Sequence, residues 1–254
     1  MTRYATRGAE SRLRRRHRAA QRGAVLLLLL LVLGVGAASA LIGAFGGIRL
    51  QAAREQRTVL LLAEARDALT GYAAANGRLP RPAISATDGR ENPAACASDA
   101  ACAGFLPWVA LGIDGADAWG KRLRYSVTPA LTTYAFQPYS TVANRSVLRR
   151  DADGELAYVA GGPACAAAAA ARCVALVVLS QGRNNYGTSV TGIEQASGAA
   201  GNDEQLNNDE ADNDAAVTRF VADVQGGAEF DDLVAWLPLD LLYRRMRAAN
   251  TLPN

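Results

Sequence analysis

Polar and apolar positions divide this chain sharply near its start. From Gly23 to Ile48 no charged residue occurs, and Leu, Val, Ala, Gly and Ile fill almost every position. A helix rises about 1.5 Å per residue, so about 25 such residues cover the hydrocarbon core of a bilayer. The pattern then changes. Val59, Leu62, Leu69 and Tyr72 recur at helical spacing with Arg54, Glu55, Arg57, Glu64, Arg66 and Asp67 between them. One helix is therefore predicted to continue to about residue 76, apolar all round in its first half and amphipathic in its second. Asn76-Gly77 stops it, and Pro80-Arg81-Pro82 prevents a restart. The apolar face of the second half needs a sheet to lie on.

Beyond residue 80 the text is loop-like as far as about residue 120. Two alternating runs, Arg122–Val127 and Thr132–Phe136, then read as an antiparallel hairpin. Asp153-Gly154 marks a tight turn into Leu156–Val159. Val174–Leu179 is an apolar run short enough to be a central strand. The alanines at 166–171 fit either a helical turn or a loop. Residues 181–232, rich in Asn, Asp, Gly and Glu, read as a long surface loop. Leu233–Leu237 returns to the core, and Pro238 opens a terminal helix through Arg247. The expected fold class is α+β: a long N-terminal transmembrane and amphipathic helix packed on a small antiparallel sheet. Its parts are a leader at 1–23, a transmembrane half at 24–48, an amphipathic half at 49–79, and a globular head at 80–254 that includes the acidic loop 181–232. No internal repeat is present.

Charge sets the topology. The net charge is only +3, but Arg3, Arg7, Arg12, Arg14, Arg15, Arg16, Arg18 and Arg22 crowd the first 23 residues against a single Glu10. Positive residues stay cytoplasmic during insertion, which places the head outside. The arm is a topology signal, and no nucleic-acid partner is implied. Three readings of the junction remain open. A cleaved secretory signal has an apolar region of about 7–15 residues, shorter than this one, although Ala38-Ser39-Ala40 resembles a cleavage box. An uncleaved anchor fits the length. The third rests on the junction Gln21-Arg22-Gly23-Ala24, where the basic arm ends in glycine at the edge of the apolar helix; it resembles a type IV prepilin leader, which implies a cut after Gly23 that leaves Ala24 as the new N-terminus.

The four cysteines fall into two local pairs, Cys96/Cys102 and Cys165/Cys173, without the spacing of a zinc knuckle or redox motif. An even number in an extracytoplasmic domain favours two disulfides, with local pairing that clips two small loops as the expectation; pairing across the two sets and buried free thiols are the other readings. The single histidine, His17, lies in the arm, so the head holds no Ser-His-Asp or Cys-His machinery and no His-ligated zinc. Ser180 lacks a nucleophile elbow. No enzymatic role is expected. The acidic run 202–214 is the best candidate for a bound ion, with calcium contacting Asp209, Asp212, Asp214, Asp231 and Asp232; a solvated loop is the other reading of it.

The leader glycine, the long helix, Tyr72-Ala-Ala-Ala-Asn-Gly-Arg-Leu-Pro80 and Asp117-Ala-Trp-Gly-Lys-Arg-Leu-Arg-Tyr125 together resemble a type II secretion system pseudopilin or a related type IV pilin-like protein. The resemblance covers the first 80 residues well and 106–127 fairly well. It implies a pilin-like fold and inner-membrane insertion with a periplasmic head. It also implies cleavage after Gly23 by a prepilin peptidase with methylation of Ala24, partnership with other pseudopilins, and a late loop ordered by calcium. Two positions depart from the family pattern. Leu28 stands where members carry a glutamate that pairs with a neighbour's N-terminus, which implies a minor or tip position. Ala24 replaces the usual aromatic, which leaves an unprocessed relative open. The rival is an uncleaved, single-pass, membrane-anchored binding domain.

Overall fold

A computed structural model describes residues 7–134, 141–165, 173–195, 202–208, 217–222 and 230–252, with the side chains of 7–25 and 38–46 outside that description. The chain forms two units, Met1–Ala53 and Arg54–Asn254. The helix α1 runs from Arg7 to Asn76.

In the first unit α1 exposes Leu26–Leu33 and Val35, each more than half accessible. Among the described residues no helix is long and apolar enough to cross a membrane; residues 24, 25 and 38–46 of the expected span lie outside the described side chains.

The second unit is α+β: the remainder of α1 packs on a mixed seven-stranded sheet. Along the chain follow β1 (Ala103–Phe105), α2 (Trp108–Leu111), β2 (Arg124–Val127), β3 (Arg145–Arg150), β4 (Leu156–Ala160), β5 (Val174–Ser180), α3 (Asn202–Asn208), β6 (Thr218–Val221), β7 (Leu233–Pro238) and α4 (Leu239–Ala248). Strand order is β1-β2-β5-β3-β4, with β7 on β5 and β6 on β3. The small antiparallel sheet expected from the sequence is corrected here: the sheet is larger, and β3 and β6 run parallel.

The helix ends where the sequence places its stop. Gly77 takes φ +69° and its N–H closes on Ala73 O at 2.9 Å, a left-handed cap that glycine adopts without steric cost. The buried stripe is Thr58, Leu62, Ala65, Leu69 and Ala73, so Val59, 52% exposed, turns outward against expectation. Small residues let the helix axis approach the sheet, and Thr58 is used for its hydroxyl: it donates to Arg54 O at 2.9 Å and accepts Ala118 N–H at 3.2 Å.

β5 is buried along its whole length. Leu176 and Val178 join the α1 side of the sheet with Leu237, Leu242 and Met246, whereas Val174, Val177 and Leu179 pack with Val147 and Phe220 on the other. A strand covered on both faces reads as an unbroken apolar run, as it does here.

Two further expectations need correction. Arg122–Val127 does not pair with Thr132–Tyr134, the described part of Thr132–Phe136. Pro129 opens a 3-10 turn through Thr132, and the two edges of β2 are taken by β1 and β5; residues 135–140 are outside the description. The stretch 181–232 is not one surface loop either, since it contains α3 and the largely buried β6. Asn207 joins these two: its amide donates to Val221 O at 2.9 Å and accepts Val221 N–H at 2.7 Å. Asp151–Glu155 forms the expected turn between β3 and β4.

Candidate functional site

Both predicted disulfides are present, Cys96–Cys102 and Cys165–Cys173. Residues 166–172, the interior of the second clip with its alanine run, lie outside the description.

A buried polar cluster forms where the end of β5 meets the turn before β2. Asp117, 6% exposed, organises that turn. Its Oδ1 accepts the N–H of Trp119 and of Lys121, each at 2.9 Å. Its Oδ2 accepts Ser180 Oγ–H at 2.6 Å, which ties the turn to the last residue of β5. Ser180 thus serves as a brace between elements. Burial raises the Asp117 pKa; the bonds from Ser180 and from the two backbone N–H groups oppose the rise.

The turn delivers Lys121 into the protein, where it is 6% exposed. Its ammonium donates to the carbonyls of Asn184 at 2.7 Å, Asn185 at 2.8 Å and Gln181 at 3.3 Å. Burial pulls the Lys121 pKa down, against the opposing pull of Asp117, Asp231, Asp232 and Glu204.

On the far side of the 181–187 loop three carboxylates converge. Glu204, Asp231 and Asp232 offer oxygens within 4.8 Å of one another. Asp231 Oδ2 accepts the N–H of Arg183 at 2.9 Å and of Asn184 at 2.8 Å. Glu204 takes Asp231 N–H at 3.1 Å and the Asn185 amide at 2.7 Å. Asp232 Oδ2 accepts the Asn207 amide at 2.8 Å. Burial dominates at Asp232 and pushes its pKa up to about 8; the Asn207 bond lowers it, and Glu204 and Asp231 raise it further.

Of the five residues expected to hold calcium, Asp231 and Asp232 therefore meet, and their third partner is Glu204. Asp209, Asp212 and Asp214 lie outside the described residues. Calcium takes six to eight oxygen ligands. Four of the six carboxylate oxygens here already receive N–H groups, and the neighbouring carbonyls of Gln181, Asn184 and Asn185 are engaged by an ammonium. Of the oxygens of these three carboxylates, Asp231 Oδ1 is buried without a hydrogen-bond partner among the described residues. The described residues thus bring together three carboxylates, and the other three expected ligands, Asp209, Asp212 and Asp214, are not among them. Sequence reasoning included Glu204 only within the acidic run 202–214, without naming it as a ligand, and gave Lys121 no part in this cluster; the available signal was that Lys121 is the only lysine in the chain.

A second polar node clamps the end of α1. Glu91 receives Arg78 through both terminal guanidinium nitrogens (2.5 and 3.0 Å), Arg81 through its backbone N–H and Nε, and the Tyr72 hydroxyl at 2.7 Å. Burial raises the Glu91 pKa, but the bonds from Arg78, Arg81 and Tyr72 prevail and bring it to about 2.

An apolar groove of about 590 Å³ runs between α1 and β7, lined by Val59, Leu62, Ala63, Trp236 and Leu241 among others. The chain matches no known family model, no curated protein and no solved structure.

Proposed function

We propose that this chain is a structural subunit of a pilus-like secretion assembly, processed after Gly23 and assembled through α1. Its leader is cytoplasmic and its head periplasmic, and its helix joins those of other pilin-like subunits. The observation that carries this reading is the exposed run Leu26–Leu33 and Val35, apolar on every side of the helix. Nine large apolar side chains facing water would be strongly unfavourable, at about 25 cal/mol per Å² of apolar surface. Lipid, and after extraction from it the helices of neighbours, remove that cost. The arginine arm sets the insertion direction, and two disulfides suit an oxidising compartment. The exposed Val59, which lines the α1–β7 groove, and the exposed Leu60 next to it in sequence supply further apolar surface for a neighbouring subunit.

In this reading the role is mechanical, with α1 packing against other subunits and the head contacting the secretion channel or cargo. The test is the intact mass of the protein extracted from membranes. Loss of residues 1–23 together with one added methyl group supports the reading. A full-length chain supports the rival, an uncleaved anchored binding domain.

A further inference from the structure

An ammonium group carries three N–H donors and no acceptor, and the three carbonyls around Lys121 use all of them. The loop supplying those carbonyls has an unusual backbone. Gly182, Asn185, Tyr186 and Gly187 take φ of +55°, +28°, +22° and +103°, a region that non-glycine residues rarely adopt, and the carbonyls of Gln181, Asn184 and Asn185 converge on one ammonium. The loop also closes tightly. A Cβ at Gly187 would stand 2.6 Å from Lys121 Cδ, and one at Gly182 would stand 2.3 Å from Asp231 O. The anion side is complementary. The N–H groups of Arg183 and Asn184 face Asp231 while the carbonyls of Asn184 and Asn185 face Lys121, so the loop is held between a fixed anion and a fixed cation.

Convergent backbone carbonyls backed by carboxylates are the donor chemistry of a hard-cation site. We propose that Lys121 is a built-in cation: its ammonium fills the carbonyl cage of Gln181–Gly187 and orders that loop without a metal ion. Every other Lys or Arg position in the chain is arginine. A compact ammonium reaches the centre of such a cage, whereas a planar guanidinium directs its donors in a fork. The single lysine stands where only lysine fits. This inference is independent of the assembly role.

Hydrogen exchange of residues 181–187 in the full-length protein tests it, with chelator or with millimolar calcium. The wild-type loop keeps the same protection in both conditions. Lys121→Ala loses about tenfold or more of that protection and regains it with propylammonium, the deleted fragment. Lys121→Arg keeps the charge and still loses protection. Lys121→Met keeps most of the stem, so it reports on the missing charge should the alanine variant fail to fold. Loss of wild-type protection on chelation, a gain with calcium, or full protection in Lys121→Met or Lys121→Arg overturns the proposal.

Discussion

Replacing Glu91 with glutamine tests how the end of α1 is fastened. The carboxylate is 13% exposed and its partner Arg78 is 9% exposed, so solvent screens the pair weakly. Glu91 titrates near 2 in place of its ordinary 4.5, a difference worth about 3 kcal/mol of folding stability. The sign follows from the direction. A depressed folded-state pKa adds stability above the unfolded value, near 4.5, and the addition is lost as pH falls toward 2. Glu91→Gln removes the charge but leaves Arg78 and Arg81 buried against a neutral group, which adds to the loss. At neutral pH the variant should be less stable by about 3 kcal/mol, or about 6–12 °C in melting temperature for a domain of this size. Urea unfolding of both proteins between pH 7 and pH 2 measures the difference, which should shrink steadily below about pH 4.5. A difference under about 0.5 kcal/mol at pH 7, or one that stays constant down to pH 2, would refute the account of the clamp.

Three other outcomes follow from the same structure. Asp232 keeps its proton in the folded chain up to about pH 8, so its contribution to stability is greatest below about pH 4 and declines as pH rises to about 8; Asp232→Asn should flatten that decline in urea unfolding, and parallel slopes would contradict it. Leu69→Ala should cost about 2–5 kcal/mol because Leu69 is fully buried under the sheet, while Val59→Ala at an exposed position should change thermal stability by less than about 0.5 kcal/mol. Gly182→Ala would force a Cβ onto Asp231 at a φ of +55° and should cost more than about 1 kcal/mol, measured by the same unfolding.

Legibility in the sequence followed the range of the forces involved. Asn76-Gly77 ends a helix through its own backbone geometry, and Val174–Leu179 records burial on both faces, so both elements were readable locally. The cysteine pairs were close enough in sequence for their spacing to indicate their bridges. β3 was hidden because Arg145, fully buried, pairs with Asp99 at 2.6 Å, and an Arg-rich run gives no apolar signal. The order within 181–232 depends on contacts with distant residues: Asn207 with β6, Asp231 with Arg183 and Asn184, and Lys121 with three carbonyls about 60 residues away. None of these leaves a period in the chain. Composition showed that the stretch was polar but not that its polar groups face each other inside the protein. The helix face was misjudged at Val59 because hydropathy ranks valine above threonine, whereas Thr58 is selected by hydrogen bonding.

The claim that α1 is an assembly surface is tested most directly by cross-linking it in the membrane. All four native cysteines are paired, so Leu30→Cys introduces a single free thiol in the exposed apolar run. Mild oxidation of intact membranes should give a disulfide-linked dimer of the processed chain, and that product should disappear when Gly23 is replaced by leucine. A processed chain that stays monomeric under the same oxidation, or a dimer that forms equally without processing, would contradict the account.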